Sequence, residues 1–368
     1  MRPAPNLAAK ANSRTVQHEN QYRRIAVWAA FTMFALAACP TAAQRAAVAT
    51  GLKKDVVFAE YTSLSSNAEI IRRMLSPLAA AQIPAALARA GTKLSDQPVD
   101  LTRETFVLYV PLREPAQGYG LVVFVPPWNQ AALPSDWMPV LEQFGLIFVS
   151  AARSGNDQTV LGRRYPLAIL AEQNIAKHYR LDPQHIYVAG FSGGSRVALR
   201  LALAYPDLFR GAILNASSDP IGNEKAPIPP KDLFFQFQET MHLVYVTGDR
   251  DVLPQINDRI SMRSMRDWCV FDVNSQLETD RAHDAMTERA LTRALEFLSS
   301  PAQADNSRLA ECRTKLENDL DAQLKDAETL LSAGEREEAR QKLLDIDAHF
   351  GGLAAPRSVG LFNRLGGS

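Results

Sequence analysis

The chain carries no excess of either charge: 40 Lys plus Arg stand against 40 Asp plus Glu, a formal net charge of +0 at pH 7. It has no long Lys/Arg run either. Both absences argue against a protein that holds nucleic acid by overall electrostatic attraction. Cysteine is scarce, three in 368 residues, and no Cys/His cluster has zinc spacing. H-E-x-x-H, the Rossmann glycine fingerprint and the P-loop are all missing. No metal, nucleotide or other cofactor is implied. An apolar run, IAVWAAFTMFALAAC at 25–39, is short of the ~20 residues a bilayer-spanning helix needs.

That run does have a function at its length. Arg23 and Arg24 precede it, giving a positive n-region followed by an apolar h-region, the pattern of an export signal. It ends in Leu36-Ala37-Ala38-Cys39, which resembles a bacterial lipobox with Cys39 as the lipidated residue. Ordinary cleavage after Thr41-Ala42-Ala43 is the alternative, and it discards Cys39. Either route gives an exported protein, periplasmic, outer-membrane-anchored or secreted. Cys269 and Cys312 then remain. An even pair in an oxidising compartment can form a disulfide, and two unpaired thiols are the equal alternative.

Residues 40–60 read as a tether. Residues 65–90 read as helix, broken at Pro77 and Pro84. The central region alternates in type. Apolar runs at 106–110, 120–125, 146–152, 185–191, 211–217 and 242–248 read as strands, several continuous enough to be buried on both faces of a parallel sheet. Helical patterns at 163–179, 194–205, 255–268 and 284–298 separate the later ones. This repetition predicts an α/β class with a mostly parallel central sheet flanked by helices, over residues 61–300. Residues 301–350 read as a helical hairpin turning near SAGERE (332–337), and 351–368 as a loose tail.

One stretch asks for chemistry. GFSGGSRVALRLALAY (190–205) fits G-x-S-x-G, with strand-like HIYVAGF before the serine and helix-like SRVALRLALAY after it. The motif has meaning in that strand–turn–helix setting. Ser192 would stand at the apex, and the Gly193 N–H would face a developing oxyanion. A serine nucleophile needs a base, and the base needs an orienting acid. Of six histidines, His18 lies in the leader, His178 on a helix, His185 and His242 at strand beginnings, and His349 in the C-terminal helices. His283 alone follows the late strands and precedes a final helix, at the sheet edge shared with Ser192. The acid belongs between them in the order Ser, Asp, His. HLVYVTG runs into Asp249-Arg250-Asp251, where Asp251 is preferred and Asp249 is second.

At these residues the chain resembles the α/β-hydrolase fold superfamily. VYVAGFSGGSRVALRLALAYPDLFRGAI is similar to secreted polyhydroxybutyrate-depolymerase-like and feruloyl-esterase-like serine esterases. The resemblance implies Ser192 as nucleophile, His283 as base, Asp251 as acid and Gly193 as oxyanion donor, with ester hydrolysis as the activity. It departs where the family has His-Gly: here Pro126-Pro127-Trp128 follows the strand. Proline has no N–H to donate, which leaves the Trp128 backbone as the second donor. In the loop at 151–164, Arg153 and Asn156 are candidate substrate contacts, with Arg163 beside them. Phe234, Phe235 and Phe237 are candidates for a cap over the site, or for core. The other reading of the whole is a catalytically inactive hydrolase-fold envelope protein that acts as a scaffold or binds a partner through its C-terminal helices.

Overall fold

The computed structural model describes residues 50–301 and 305–366. The apolar run at 25–39 and Cys39 lie outside the described residues. Eight strands form one sheet: β1 (Gly51–Val56), β2 (Phe106–Val110), β3 (Tyr119–Val125), β4 (Leu146–Ala151), β5 (Leu181–Phe191), β6 (Gly211–Asn215), β7 (His242–Gly248) and β8 (Val273–Glu278). Their order across the sheet is β1-β2-β4-β3-β5-β6-β7-β8. β2 runs antiparallel to both neighbours, and β3 through β8 are parallel. This is the α/β-hydrolase architecture.

The six strands read from apolar runs are the inner six, and they are buried along almost their whole length except β5, which is buried only from Ile186 onward. The two strands that escaped the reading are the edges. β1, GLKKDV, lies in the stretch taken for a tether, so residues 51–56 correct that boundary. β8, VNSQLE, is mostly half-exposed. An edge strand has only one neighbour to pack on, so its composition carries little hydrophobic signal.

Alternate side chains of the inner strands enter two separate cores. On one face lie Leu121, Val123 and Val188 with α4 (Tyr165–His178), α5 (Gly193–Ala204) and α6 (Lys231–Thr240). On the other lie Val122, Phe124 and Ala189, beneath α3 (Met138–Phe144) and α8 (Glu288–Leu298). Phe234 and Phe237 are fully buried, so α6 supplies core and no cap. α7 (Val252–Asp267) follows β7.

The early helical stretch is two helices, α1 (Asn67–Met74) and α2 (Pro77–Arg89). Pro77 starts the second, where a missing N–H costs nothing. Pro84 sits within it and does not break it. The C-terminal hairpin, Asn306–Ala333 and Arg336–Phe350, turns at Gly334, whose φ of 83° suits a residue without Cβ. Residues 357–364, read as loose tail, form a further helix. Leu324, Leu343, Phe350 and Leu361 join the same core as α4–α6. Cys269 and Cys312 are joined as a disulfide, which ties the first of these helices to the end of α7.

The sheet order reverses at β3, with β4 on one side and β5 on the other. Loops leaving β3 and β5 part there and open a crevice at the C-terminal ends of the strands.

Candidate active site

Ser192 occupies the turn between β5 and α5 at φ 53°, ψ −122°. A non-glycine residue holds such angles only where its surroundings over-determine them. They do so here from both sides. The Ser192 N–H donates to the Asn215 carbonyl at the end of β6, 2.8 Å away, and the Ser192 carbonyl accepts from Ser195 N–H at 3.0 Å. A Cβ on Gly190 would strike the Gly194 backbone, and one on Gly194 would strike the Val125 carbonyl. The two glycines let strand, helix and neighbouring strand close around the serine.

The serine hydroxyl meets a histidine. Ser192 Oγ lies 2.9 Å from His283 Nε2, and His283 Nδ1 lies 2.7 Å from Asp251 Oδ2. Asp251 follows the end of β7 and is buried, with a side chain 10% exposed against 46% for His283. The aspartate is thus shielded while the imidazole faces solvent. The loop carrying His283 is placed by its backbone. It passes so close over β7 that a Cβ on Gly248 would strike the Arg281 and Ala282 carbonyls. Buried Asn215 then donates to the Val246 carbonyl at 3.0 Å and accepts from the Met286 N–H at 2.8 Å, fixing the loop to the sheet. Asp249, the second choice for the acid, instead accepts from the Arg281 N–H at 3.2 Å and takes no part in the Ser–His–Asp chain.

Gly193 opens α5, where the first N–H groups have no intrahelical partner. Neither the Gly193 nor the Trp128 N–H has a hydrogen-bond partner among the described residues. The Trp128 ring leans on Phe191 at 6.0 Å, and Phe191 on His283 at 5.0 Å. Trp128 therefore lies on the apolar side of the imidazole.

The crevice holding Ser192 and His283 is about 580 Å³ and is also lined by Asn156, Gly193 and Ser217. Asn156 is there as expected. Arg153 is not. Its guanidinium pairs with Glu104 at 3.0 Å and donates to the Arg103 carbonyl, and Arg163 binds the same buried carboxylate. That reading is corrected: a buried Glu104 outcompetes the crevice for both cations. The sequence reading missed three other arginines that do line it, Arg164, Arg196 and Arg200. For two of them a signal existed. Ser192, Arg196 and Arg200 fall at i, i+4 and i+8, one face of α5.

Arg164 is buried at 4% exposure. It donates to the Ser154 and Pro126 carbonyls, each at 2.9 Å, and approaches Asn156 Oδ1 and the Gly193 carbonyl at 3.4 Å. It has no ion-pair partner among the described residues, and burial pulls its pKa down to about 10. Its fork links the loop after β3 to the start of α5, the two segments that carry the Trp128 and Gly193 N–H groups. No cluster of His, Cys, Asp or Glu able to hold a metal occurs among the described residues. No helix there is long and apolar enough to cross a membrane.

No family model matches the chain. No curated protein matches it. Solved structures do. An acetyl xylan esterase from Aspergillus awamori is 15% identical over 53% of this chain and 95% of that one, with a TM-score of 0.42. A ferulic acid esterase is 17% identical over 53% and 91%, at 0.39. A Porphyromonas gingivalis dipeptidyl peptidase 4 is 16% identical over 53% of this chain, at 0.39, and the match spans only 33% of that longer protein.

Proposed function

We propose that this chain is an exported serine hydrolase that cleaves an ester through an acyl-serine intermediate. The observation that carries the proposal is the unbroken hydrogen-bonded chain Ser192–His283–Asp251 mounted on a strained strand-to-helix turn. In this reading His283 Nε2 takes the Ser192 proton as Oγ attacks the ester carbonyl, while Asp251 holds the imidazole in the tautomer with Nδ1 protonated. The tetrahedral oxyanion lies against the Gly193 and Trp128 N–H groups, which are free to receive it. His283 then returns the proton to the departing alcohol. A water attacks the acyl-serine, giving its proton to His283, and Ser192 Oγ leaves with that proton as the acid is released. Ester is preferred to amide on the resemblance of the 182–214 segment to secreted esterases.

Export rests on Arg23-Arg24 and the apolar run, with Cys39 as the lipid-bearing residue. The Cys269–Cys312 disulfide suits an oxidising compartment.

The deciding experiment is labelling with a fluorophosphonate, which reacts with an activated serine whatever the natural substrate. Wild type should label, and Ser192→Ala and His283→Ala should not. A folded wild type that stays unlabelled removes the enzymatic reading and leaves the scaffold one. Metabolic labelling with a palmitate analogue, lost in Cys39→Ser, tests the anchor.

A further inference from the structure

The whole chain is electrically neutral, but its crevice is not. Among the residues lining it are three arginines and no aspartate or glutamate. The carboxylate nearest to this group is Asp219, 2.7 Å from Arg200 Nη2 and 3.5 Å from Arg196 Nε. One carboxylate thus stands against two guanidinium groups, and Arg164 adds a third positive charge that makes no ion pair among the described residues, with Asp157 acting on it only at longer range. Asp251 is already engaged with His283.

The donors are incompletely used. Arg200 Nε is buried and makes no hydrogen bond. Arg196 has a side chain 44% exposed, and its Nη2 is held by Ser217 Oγ at 3.2 Å. Asn257 Nδ2 donates to the same hydroxyl at 3.1 Å. Ser217 accepts from both, so its own proton is left to point elsewhere. Ala216 and Ser217 have φ of 55° and 102°. Non-glycine residues resist this backbone, and here it brings the Ser217 hydroxyl to Arg196. The helix sets the distance: four residues at 1.5 Å each put Arg196 about 6 Å along the α5 axis from Ser192. The N-terminus of α5 contributes positive potential of its own.

We propose that the ester cleaved here carries an anionic group, a carboxylate, that docks on Arg196 and Arg200 beside Ser217 and Asn257 while its ester carbonyl lies at Ser192. The inference rests on the hydrolase reading and names the substrate class of that same site. A half-ester of a diacid, with its free carboxylate on the acyl side, spans the separation between Ser192 and Arg196. An ester whose alcohol bears the carboxylate presents the same charge from the other side.

The test compares charged substrates with neutral isosteres on the whole protein. 4-Methylumbelliferyl hydrogen adipate is set against 4-methylumbelliferyl hexanoate for the acyl side, and 3-acetoxybenzoate against phenyl acetate for the alcohol side. In at least one pair kcat/KM should favour the anion by about tenfold, the size of one ordinary charge-assisted hydrogen bond. The ratio should fall toward one in Arg196→Gln, fall below one in Arg196→Glu, and shrink with added salt. Thermal melts confirm that these half-exposed substitutions leave the protein folded. Fluorophosphonate labelling in parallel separates the two levels of the argument. If the serine labels but neither pair favours the anion, the inference is overturned and the hydrolase reading stands. If the folded protein does not label, both fall.

Discussion

The two ends of the sheet carry the same pair of side chains in different company. At the C-terminal edge His283 pairs with Asp251 at 2.7 Å. At the N-terminal edge His185 pairs with Asp182 at 2.8 Å, and His242 with Asp272 at 3.3 Å. Distance alone does not separate the first two. What separates them is the far nitrogen of the ring and the space beside it. His283 Nε2 meets a serine hydroxyl on a strained turn, in a crevice opened by the reversal of strand order. His185 and His242 stand where the strands enter the sheet, with no such turn. A histidine–carboxylate pair is common structural material, and its position in the fold decides whether it can do chemistry.

The largest difference between the two ends is expected at the acids. Asp251→Asn should lower turnover by about 10⁴-fold, because an amide at that position favours the wrong imidazole tautomer. Asp182→Asn and Asp272→Asn should leave turnover within a few-fold of wild type, and Asp249→Asn should resemble them. Steady-state hydrolysis of an activated ester reads all four. If Asp249→Asn gives the large loss and Asp251→Asn does not, the acid has been misassigned.

The next effect belongs to the opposite edge and is one of stability. Cys269 lies near the start of β8, beside the strand entrances, and its bond to Cys312 closes 43 residues. Replacing both cysteines with alanine should cost roughly 4 kcal/mol by the loop-entropy account. Denaturant melts should show this loss while kcat below the transition stays unchanged. A fall in kcat at temperatures where the variant is fully folded would mean that the two edges are coupled.

The smallest effect sharpens the contrast by taking the histidine away. Glu172 on α4 is a buried carboxyl with no basic partner among the described residues, and it accepts a hydrogen bond from Gln173 Nε2 at 2.6 Å. Burial raises its pKa from 4.5 to about 7. A carboxyl raised in the folded state contributes stability below its unfolded pKa and loses it as pH rises through the folded one. Relative to Glu172→Gln, wild type should therefore weaken between pH 4.5 and above 7, by roughly 3 kcal/mol in all. Parallel pH-dependent melts of the two proteins measure it, and parallel curves would count against the burial account.

Much of this was legible in the sequence for reasons that are local. Inner strands announce themselves because burial on both faces demands continuous apolar runs such as GLVVFV. The G-x-S-x-G turn is legible because only glycine fits where strand and helix backbones touch. His283 emerged because chain order and strand edge exclude the other five. The edge strands GLKKDV and VNSQLE were not legible, since half-exposed strands need little hydrophobic residue. Nor was the helix in the tail, or the passage of a helix through Pro84.

The order of the six inner strands, the G-x-S-x-G turn and the Ser, His and Asp candidates follow from the sequence alone, because each depends on short-range periodicity, on chain order or on a backbone constraint a single residue can satisfy. Tertiary structure alone decided how those candidates were allocated. It gave Asp251 rather than Asp249 to His283, turned Arg153 and Arg163 to buried Glu104, brought Arg164, Arg196 and Arg200 into the crevice, and joined Cys269 to Cys312. Hydrogen bonds and ion pairs form only within a few ångströms. Which polar groups come that close is fixed when the two apolar cores pack and carry distant segments together.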